Sequence, residues 1–514
     1  MAAEMTAAST LAGLWAASVA RAPSSSFLVF EDSAGNVSEW TYAEFDRLAD
    51  RMAAHMAANG VGRGDAIHLA LTNSPTFVAV WIAATKMGAW IVPSDPMGRE
   101  AELAGHIERT SPKLGFCAIA REETYRAAAG SLSHISVDEN EAEFEFLTRD
   151  ADSINVESEP TSLLAVMFTS GTTGRPKGVE ITQANYAFAG EVMAQESALT
   201  ADDRQLVVLP MFHANAQYYS FASAIAVGAS VALMHTFSAS GFLPQAVRHR
   251  ATCASLFAAP LRMILARGGP VDGVNLRHCW FAQNISTNDY EIISNWFGCA
   301  PRQLYGMTET IPAVLTTRVP DAAPTTMGSV SHRCAVEIHD SDGQSVAPNV
   351  EGEVVVGGEP GLTLFARYLD DPDITAASFR NDWFLTGDRA TSDEAGRFFF
   401  SGRRSDMLKV AGENVSTVEI EGVLSEHPSV LEAAVVSEPD DIRDEVPVAF
   451  VVAADPDTGI DLESLTEWCQ DRLSKVKQPR TITVLDSLPR TSVGKIRKFL
   501  LRGEAESVEM EAAS

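Results

Sequence analysis

A run of hydroxyl side chains, glycines and one lysine separates two apolar stretches in the first half of the chain. The segment FTSGTTGRPKGVEIT spans residues 168–182, and Lys177 is its only lysine. Glycines let backbone N–H groups turn toward an anion, hydroxyl groups add donors, and a lysine supplies compensating charge. The segment therefore predicts a phosphate-binding loop, although many Gly/Ser/Thr clusters are simple surface turns.

The loop does not have the pattern of a P-loop kinase. The Walker sequence requires G-x-x-x-x-G-K-[ST], whereas Lys177 lies between Pro176 and Gly178. No hydroxyl follows the lysine to bind a magnesium ion. A different class of nucleotide-binding protein is therefore favoured.

Strands and a helix are predicted on either side of this loop. Apolar runs at 163–168 and 179–181 predict two strands, and Thr182 is a candidate N-cap for the following helix. Similar alternation of helices and strands occurs before and after it, which predicts parallel sheets covered by helices. The further predicted elements are a helix at 41–57, a helix near 219–227 and strands at 66–71, 205–210, 230–234 and 254–257.

The pattern of predicted secondary structure changes in the last third of the chain. From Met327, short alternating strands with turn dipeptides predict antiparallel sheet or a distorted β-barrel. Beyond Asp406 a small α+β domain is predicted. Its elements are helices at 416–425 and 462–475 and strands at 430–436 and 446–452. The predicted fold is α/β, with a large domain of two parallel-type sheets plus the barrel (1–402) and a small C-terminal domain (403–514).

Composition excludes several classes of protein. A chain of 514 residues exceeds one ordinary core, and its 46% hydrophobic content is that of a globular protein. The net charge of −29 argues against nucleic acid or an anionic membrane as a partner. No apolar run is long enough for membrane insertion. Six scattered cysteines without metal-site spacing predict reduced thiols and a cytoplasmic location.

Four motifs together resemble those of a known superfamily. FTSGTTGRPKGV, YGMTET, WFLTGDRATSDEAGRFFFSGRRSDMLKVAGENVSTVEIE and LPRTSVGKIRK occur in the order and approximate spacing of the adenylate-forming enzymes. That superfamily includes acyl- and aryl-CoA synthetases, adenylation domains of peptide synthetases and firefly luciferase. The motifs cover about residues 168 to 498. The resemblance implies that ATP, Mg²⁺ and coenzyme A are used, and that the small domain is mobile.

The resemblance assigns the nucleotide site residue by residue. It implies that Glu309 binds Mg²⁺, and that Thr308 lies toward the α-phosphate. Tyr305, Gly306 and Met307 are expected to form the adenine site. The residues expected around the β- and γ-phosphates are Thr169, Ser170, Gly171, Thr172, Thr173, Gly174 and Lys177.

Further motif residues are assigned to ribose binding and catalysis. The resemblance implies that Asp388 accepts hydrogen bonds from both ribose hydroxyls and that Arg403 reaches the ribose or a phosphate. Phe400 is assigned to the same nucleotide site. Lys495 resembles the catalytic lysine that contacts the carboxylate and the α-phosphate during adenylation. In such a reaction positioned cations stabilise the developing charge.

A second set of residues is implied in thioester formation. The superfamily rotates its small domain, withdraws the lysine and inserts the MLKVAGEN loop. Gly412 is expected to leave room for the pantetheine arm, with Lys409 and Asn414 on one face of that loop. The hinge is placed at Ser405 or Asp406.

The acyl site is inferred from the segment LPMFHANAQYYS. Amino-acid-activating domains carry an aspartate after the phenylalanine, whereas this chain has His213. The resemblance implies that the His213 ring gates the acyl or thiol tunnel; a buried structural histidine is the alternative. Asn215, Gln217 and Asn284 could hydrogen-bond polar substituents of the acid. The residues expected to line the pocket are His213, Gln217, Ala258, Ala259, Asn284, Gly306 and Ile311.

The resemblance predicts an ATP-dependent acyl-CoA synthetase acting on a small carboxylic acid. One alternative is an adenylating enzyme that loads a carrier protein or oxidises its product, and saturable dependence on free CoA would separate the two. Another is an inactive ATP-binding relative with a regulatory or scaffold role, which pyrophosphate release would exclude. The sequence leaves open whether the protein forms a homodimer.

Overall fold

The computed structural model describes residues 9–141, 144, 147, 152, 154, 156–169, 176–318, 323–403, 407–410, 413–440, 443–455, 457–490, 496–498, 500 and 501. Its helices are α1 Leu11–Arg21, α2 Tyr42–Ala58, α3 Pro75–Met87, α4 Glu100–Thr110, α5 Glu122–Ala129, α6 Gln183–Glu196, α7 Ser223–Val227, α8 Phe242–Arg248, α9 Ala258–Arg267, α10 Thr287–Phe297, α11 Pro372–Ala377, α12 Thr417–Ser425 and α13 Leu462–Arg472. Two short 3₁₀ helices span Ile119–Arg121 and Thr308–Thr310, and a π-helix spans Asn215–Ala222.

Strands are distributed over four sheets. They are β1 Ser26–Glu31, β2 Val37–Thr41, β3 Ala66–Ala70, β4 Trp90–Pro93, β5 Leu114–Ala118, β6 His134–Val137, β7 Leu163–Thr169, β8 Lys177–Thr182, β9 Arg204–Val207, β10 Ser230–Met234, β11 Cys253–Phe257, β12 His278–Ala282, β13 Arg302–Tyr305, β14 Leu315–Thr316, β15 Ser329–Val330, β16 Ala335–His339, β17 Gly352–Gly357, β18 Phe379–Arg380, β19 Trp383–Ser392, β20 Phe398–Arg403, β21 Met407–Val410, β22 Glu413–Ser416, β23 Val430–Asp440, β24 Asp444–Ala453 and β25 Ile482–Val484.

The chain divides into two compact units. The first comprises residues 1–336 and 356–384, and the second comprises 337–355 and 385–514. This division passes through β16, β17 and β19, upstream of the domain boundary predicted at residue 402, and that boundary stays a prediction.

The largest sheet of the first unit has the order β15-β14-β13-β12-β11-β9-β10-β1-β2. From β13 to β1 the neighbouring strands are parallel, and antiparallel strands lie at both edges. One face packs against an apolar core that includes Leu206, Leu256, Phe281 and Phe297. The predicted α/β architecture with parallel-type sheets is confirmed.

The second sheet of this unit carries the hydroxyl-rich segment. Its order is β6-β5-β3-β4-β7-β8, parallel except for the antiparallel β7–β8 pair. Helix α6 follows β8 directly, because the Thr182 side chain caps its N-terminus in a capping box with Asn185. All thirteen residues of α3 are buried, and the helix is apolar apart from Lys86 and two threonines.

The second unit contains a small sheet ordered β22-β21-β24-β23, with β25 paired to β24. Its core includes Leu408, Ile420, Val451 and Leu465. Strand β20 pairs with β19 through the register Asp388↔Arg403.

All six cysteines are free thiols, and four of them are buried, namely Cys117, Cys253, Cys279 and Cys469. Across the ranges given above, no helix combines the length and apolarity needed to cross a membrane.

Candidate active site

The predicted phosphate loop connects the two strands of an antiparallel hairpin. Strand β7 ends at Thr169 and β8 begins at Lys177, and these two residues are opposite each other in the register. The hairpin therefore fixes both ends of the loop. The predicted ligands Ser170, Gly171, Thr172, Thr173 and Gly174 lie outside the described residues.

Tyr368 lies beside this hairpin and was not identified from the sequence. The Lys177 Nζ atom is 4.5 Å from the centroid of the Tyr368 ring. The Tyr368 hydroxyl donates to Oε1 of Glu309 at 3.0 Å. Both Tyr368 and Glu309 are buried. The structure thus brings together two predicted ATP-site residues, Lys177 and Glu309, through a third side chain.

The YGMTE segment begins at the carboxyl end of β13. Tyr305 is the last residue of that strand, and Thr308 and Glu309 start a short 3₁₀ helix. Gly306 is closely packed, since an added Cβ would lie 2.8 Å from the Pro312 carbonyl oxygen and 3.0 Å from the Tyr219 hydroxyl. The Met307 backbone N–H donates to the Thr310 hydroxyl.

Ile311 follows this turn in an uncommon backbone conformation. Its φ of 73° and ψ of −81° are close to those of a γ-turn, which is strained for a β-branched residue. Its side chain is fully buried. Strained residues cluster at functional sites, so this conformation is consistent with the pocket position predicted for Ile311.

Residues predicted to line the acyl pocket follow the carboxyl ends of adjacent parallel strands. His213 comes after β9, Ala258 and Ala259 after β11, Asn284 after β12, and Gly306 after β13. These four strands are neighbours in the order β13-β12-β11-β9. In open α/β sheets ligands bind outside the carboxyl ends of the strands. These residues therefore follow the carboxyl ends of neighbouring strands on the same side of the sheet.

The individual pocket side chains differ in their surroundings. The His213 ring is half-buried, and its centroid lies 4.5 Å from that of Phe212. Asn284 is exposed, and its Oδ1 accepts a hydrogen bond from Gln303 at 2.9 Å. Ala258 is buried. The roles predicted for these residues stay predictions.

Gln217 lies in the π-helix, and both ends of its amide are engaged within the protein. Its Oε1 accepts from the Tyr186 hydroxyl, and its Nε2 donates to the Met211 carbonyl, each at 2.5 Å. The side chain is fully buried. These bonds connect the π-helix to α6 and to the segment that precedes it, so Gln217 has a structural role besides the pocket role predicted for it.

Asn215, two residues earlier, has the opposite character. It is 4% exposed, yet neither Nδ2 nor Oδ1 has a hydrogen-bond partner among the described residues. A buried amide without a partner costs free energy, and such groups in native proteins call for an explanation. π-Helical segments also occur frequently at functional sites. Asn215 is therefore the strongest candidate for a polar contact to a bound acid.

In the second unit, the two predicted ribose-binding residues form an ion pair. Asp388 and Arg403 face each other across β19 and β20, and the Arg403 Nε atom donates to Asp388 Oδ1 at 2.6 Å. Asp388 is buried, whereas Arg403 is exposed. Phe400 is half-buried on the same strand as Arg403. The hairpin thus holds a buried carboxylate whose pairing cation is exposed.

Replacing Asp388 with alanine should raise the KM for ATP about tenfold or more. A carboxylate that accepts hydrogen bonds from a ribose diol contributes about 1.5–3 kcal/mol per bond. The control is Asp393→Ala, because Asp393 pairs with Arg397 in the same hairpin at 2.7 Å. An unchanged KM in Asp388→Ala would show that this aspartate only stabilises the hairpin.

The predicted CoA-loop residues lie on a second hairpin of this unit. In the β21–β22 register Lys409 is directly opposite Asn414. The Lys409 backbone N–H donates to Glu445 at 2.7 Å. The predicted hinge residues Ser405 and Asp406, the loop residue Gly412 and the catalytic candidate Lys495 lie outside the described residues.

The environment of Glu309 fits a magnesium ion held mostly by substrate oxygens. Within the described ranges, no three or more His, Cys, Asp or Glu side chains are grouped as a metal site. Magnesium in nucleotide sites commonly uses one or two carboxylates together with phosphates and water. A single buried carboxylate that accepts a hydrogen bond from a tyrosine hydroxyl suits that ligand set.

Comparison with known proteins identifies the family. Models of the AMP-binding enzyme and of its C-terminal domain match residues 15–369 and 419–495. Crotonobetaine/carnitine–CoA ligase of Salmonella arizonae is 33% identical over 493 residues, which cover 92% of this chain and 95% of that protein. The corresponding ligase of Proteus mirabilis is 32% identical over 92% of this chain and 94% of its own.

A solved structure supports the same assignment. The o-succinylbenzoate CoA synthetase of Bacillus subtilis, in complex with its acyl-adenylate intermediate, superposes with a TM-score of 0.83. It is 28% identical, and the alignment covers 95% of this chain and 97% of that one. Its fold and both family matches agree with the motifs described above. The chain therefore belongs to the AMP-binding enzyme family, the adenylate-forming superfamily.

Proposed function

We propose that this chain joins coenzyme A to a small carboxylic acid that bears a hydrogen-bonding substituent. The chain is an AMP-forming carboxylate–CoA ligase. A carboxylate oxygen attacks the α-phosphorus of ATP, the bond to the bridging oxygen breaks, and pyrophosphate leaves. The CoA thiolate then attacks the acyl carbon, and AMP leaves as the thioester forms.

The roles proposed for individual residues in the first step are those that the resemblance to the adenylate-forming enzymes implies. Lys177 and the hydroxyl-rich loop bind the β- and γ-phosphates, and Asp388 binds the ribose. Glu309 would hold a magnesium ion, which would neutralise charge on the leaving pyrophosphate. Lys495 stabilises the charge that develops as the carboxylate attacks. In the second step, Gly412 leaves room for pantetheine.

The substrate class is proposed from one observation, the buried amide of Asn215 without a described partner. Asn215 opens the π-helix that follows β9, at the edge of the sheet where the other pocket candidates lie. An amide can donate to and accept from a hydroxyl, carbonyl or amide group on the acid. A purely hydrocarbon acyl chain would leave the amide unsatisfied, which disfavours its binding.

Pyrophosphate release across pairs of matched acids tests this proposal. Each pair contains an acid with a hydroxyl group at carbon 3, 4 or 5 and the analogue in which a methyl group replaces that hydroxyl. We expect one hydroxy acid to be preferred in kcat/KM, and Asn215→Leu to reduce that preference about tenfold or more. Asn215→Leu should leave the KM for ATP unchanged.

Two outcomes would reject different parts of the proposal. If Asn215→Leu has the same preference between paired acids as the wild type, the amide does not select the substrate. If pyrophosphate is released but no thioester forms at saturating free CoA, a carrier protein becomes the favoured acceptor.

A further inference from the structure

Tyr368 contacts two side chains to which the proposed function gives roles at the ATP phosphates, Lys177 and Glu309. Its ring face lies 4.5 Å from the Lys177 Nζ atom, and its hydroxyl donates to Glu309 Oε1 at 3.0 Å. The Tyr368 hydroxyl is the donor in this pair, because an ionised carboxylate only accepts hydrogen bonds.

The backbone around Tyr368 is fixed to both partners. Residues 366–369 run antiparallel to β8, and Leu369 N–H donates to Gly178 O at 2.7 Å. At the other end of this segment, Phe365 N–H donates to the Glu309 carbonyl at 3.0 Å. The segment therefore connects the strand that begins with Lys177 to the backbone of Glu309.

Arg109 holds the end of the phosphate loop against the same segment. Its guanidinium donates to the Pro176 carbonyl at 2.7 Å and to the Leu369 carbonyl at 3.2 Å. It also lies 5.0 Å from the centroid of the Phe168 ring, on the opposite strand of the hairpin. The position of Tyr368 relative to Lys177 is thus fixed by the backbone on both sides.

We infer that Tyr368 is a positioning residue that orients the Glu309 carboxylate toward the magnesium ion of the bound nucleotide. This inference rests on the proposed function, because it takes Lys177 and Glu309 as ATP-site residues. A hydroxyl bonded to one carboxylate oxygen restricts rotation of the group, as residues behind metal ligands commonly do. The ring face also contacts the Lys177 ammonium in a cation–π interaction.

Calorimetric titration of the full-length chain with ATP tests this role, with magnesium in one series and EDTA in the other. Tyr368→Phe keeps the ring and removes the hydroxyl. We expect it to weaken ATP binding about tenfold with magnesium and to leave binding in EDTA unchanged. In a Glu309→Gln background, Tyr368→Phe should cause no further loss.

Tyr218→Phe is the matched control. The Tyr218 hydroxyl is also buried, and the Glu309 charge contributes to its raised pKa, but it has no hydrogen-bond partner among the described residues. This variant should bind ATP like the wild type in both series. A melting curve for each variant verifies that the fold is retained.

The outcomes separate this inference from the proposed function. Suppose that the wild type binds magnesium–ATP. If Tyr368→Phe then loses ATP affinity equally with and without magnesium, or loses none, the positioning role is wrong. If the wild type binds no ATP in either series, the proposed function fails and the role of Tyr368 fails with it.

Discussion

Replacing Lys86 with methionine should lower the free energy of unfolding by about 3–5 kcal/mol. The Lys86 ammonium lies 2.5 Å from Asp46 Oδ1 and 2.6 Å from Asp50 Oδ1, and its side chain is 1% exposed. The Trp15 indole also donates to Asp46. These contacts join α1, α2 and α3, so removal of Lys86 would leave two neighbouring carboxylates without their compensating cation at the junction of three helices.

Chemical denaturation of Lys86→Met and of Lys113→Met measures this effect. Lys113 is an exposed lysine of the same unit, and loss of such a surface charge usually changes stability by about 0.5 kcal/mol or less. Adding Asp50→Asn to Lys86→Met should recover part of the loss by removing one buried charge. Equal midpoints for both single variants would show that the buried ion pairs contribute no net stability.

The elements around the phosphate loop could be predicted because their signals are local. The predicted strands at 163–168 and 179–181 correspond to β7 and β8, and the predicted N-cap Thr182 is the observed one. A capping residue and an apolar run act over a few positions, so the sequence contains them directly. The helix predicted near 219–227 was less accurate, because its first part is a π-helix beginning at Asn215.

Contacts between distant parts of the chain could not be predicted in this way. Tyr368 and Glu309 are 59 positions apart, and they meet only because the segment after Glu359 returns along β8. Lys86 lies in an otherwise apolar helix, and no local feature indicates that two aspartates of α2 neutralise it. The unsatisfied amide of Asn215 likewise depends on what packs around it in three dimensions.

The sequence allows one expectation about the pocket candidates, namely that residues following parallel strands of one sheet lie near one another. His213, Ala258, Asn284 and Gly306 all follow parallel strands, and the carboxyl ends of such strands lie at one edge. The order of the strands could not be predicted from the sequence. The sheet places β10 beside β1, the first strand of the chain, and places β9 between β10 and β11. The resemblance supplied these pocket residues, whose roles stay predictions, and the tertiary structure determined which of the preceding strands became neighbours.

Replacing Lys495 with alanine should reduce acyl-adenylate formation about 10²–10³-fold and spare thioester formation from supplied acyl-adenylate. The adenylation step concentrates negative charge around the α-phosphorus, and loss of one positioned charge-stabilising group commonly costs that much in rate. Thioester formation breaks the bond between the acyl carbon and the AMP oxygen without attack at phosphorus. A lysine that serves only the first step is therefore dispensable in the second.

Separate assays of the two half-reactions measure this difference, with Lys498→Ala as the matched control. Lys498 lies three residues after Lys495 in the LPRTSVGKIRK motif. Its ammonium pairs with Glu421 at 2.8 Å and donates a hydrogen bond to the Thr417 hydroxyl at 3.2 Å. Its loss should lower stability slightly and leave both half-reactions intact, because its charge is engaged within the second unit. Equal losses of both half-reactions in Lys495→Ala would contradict a role confined to adenylation, since a charge needed only at phosphorus cannot affect attack at the acyl carbon.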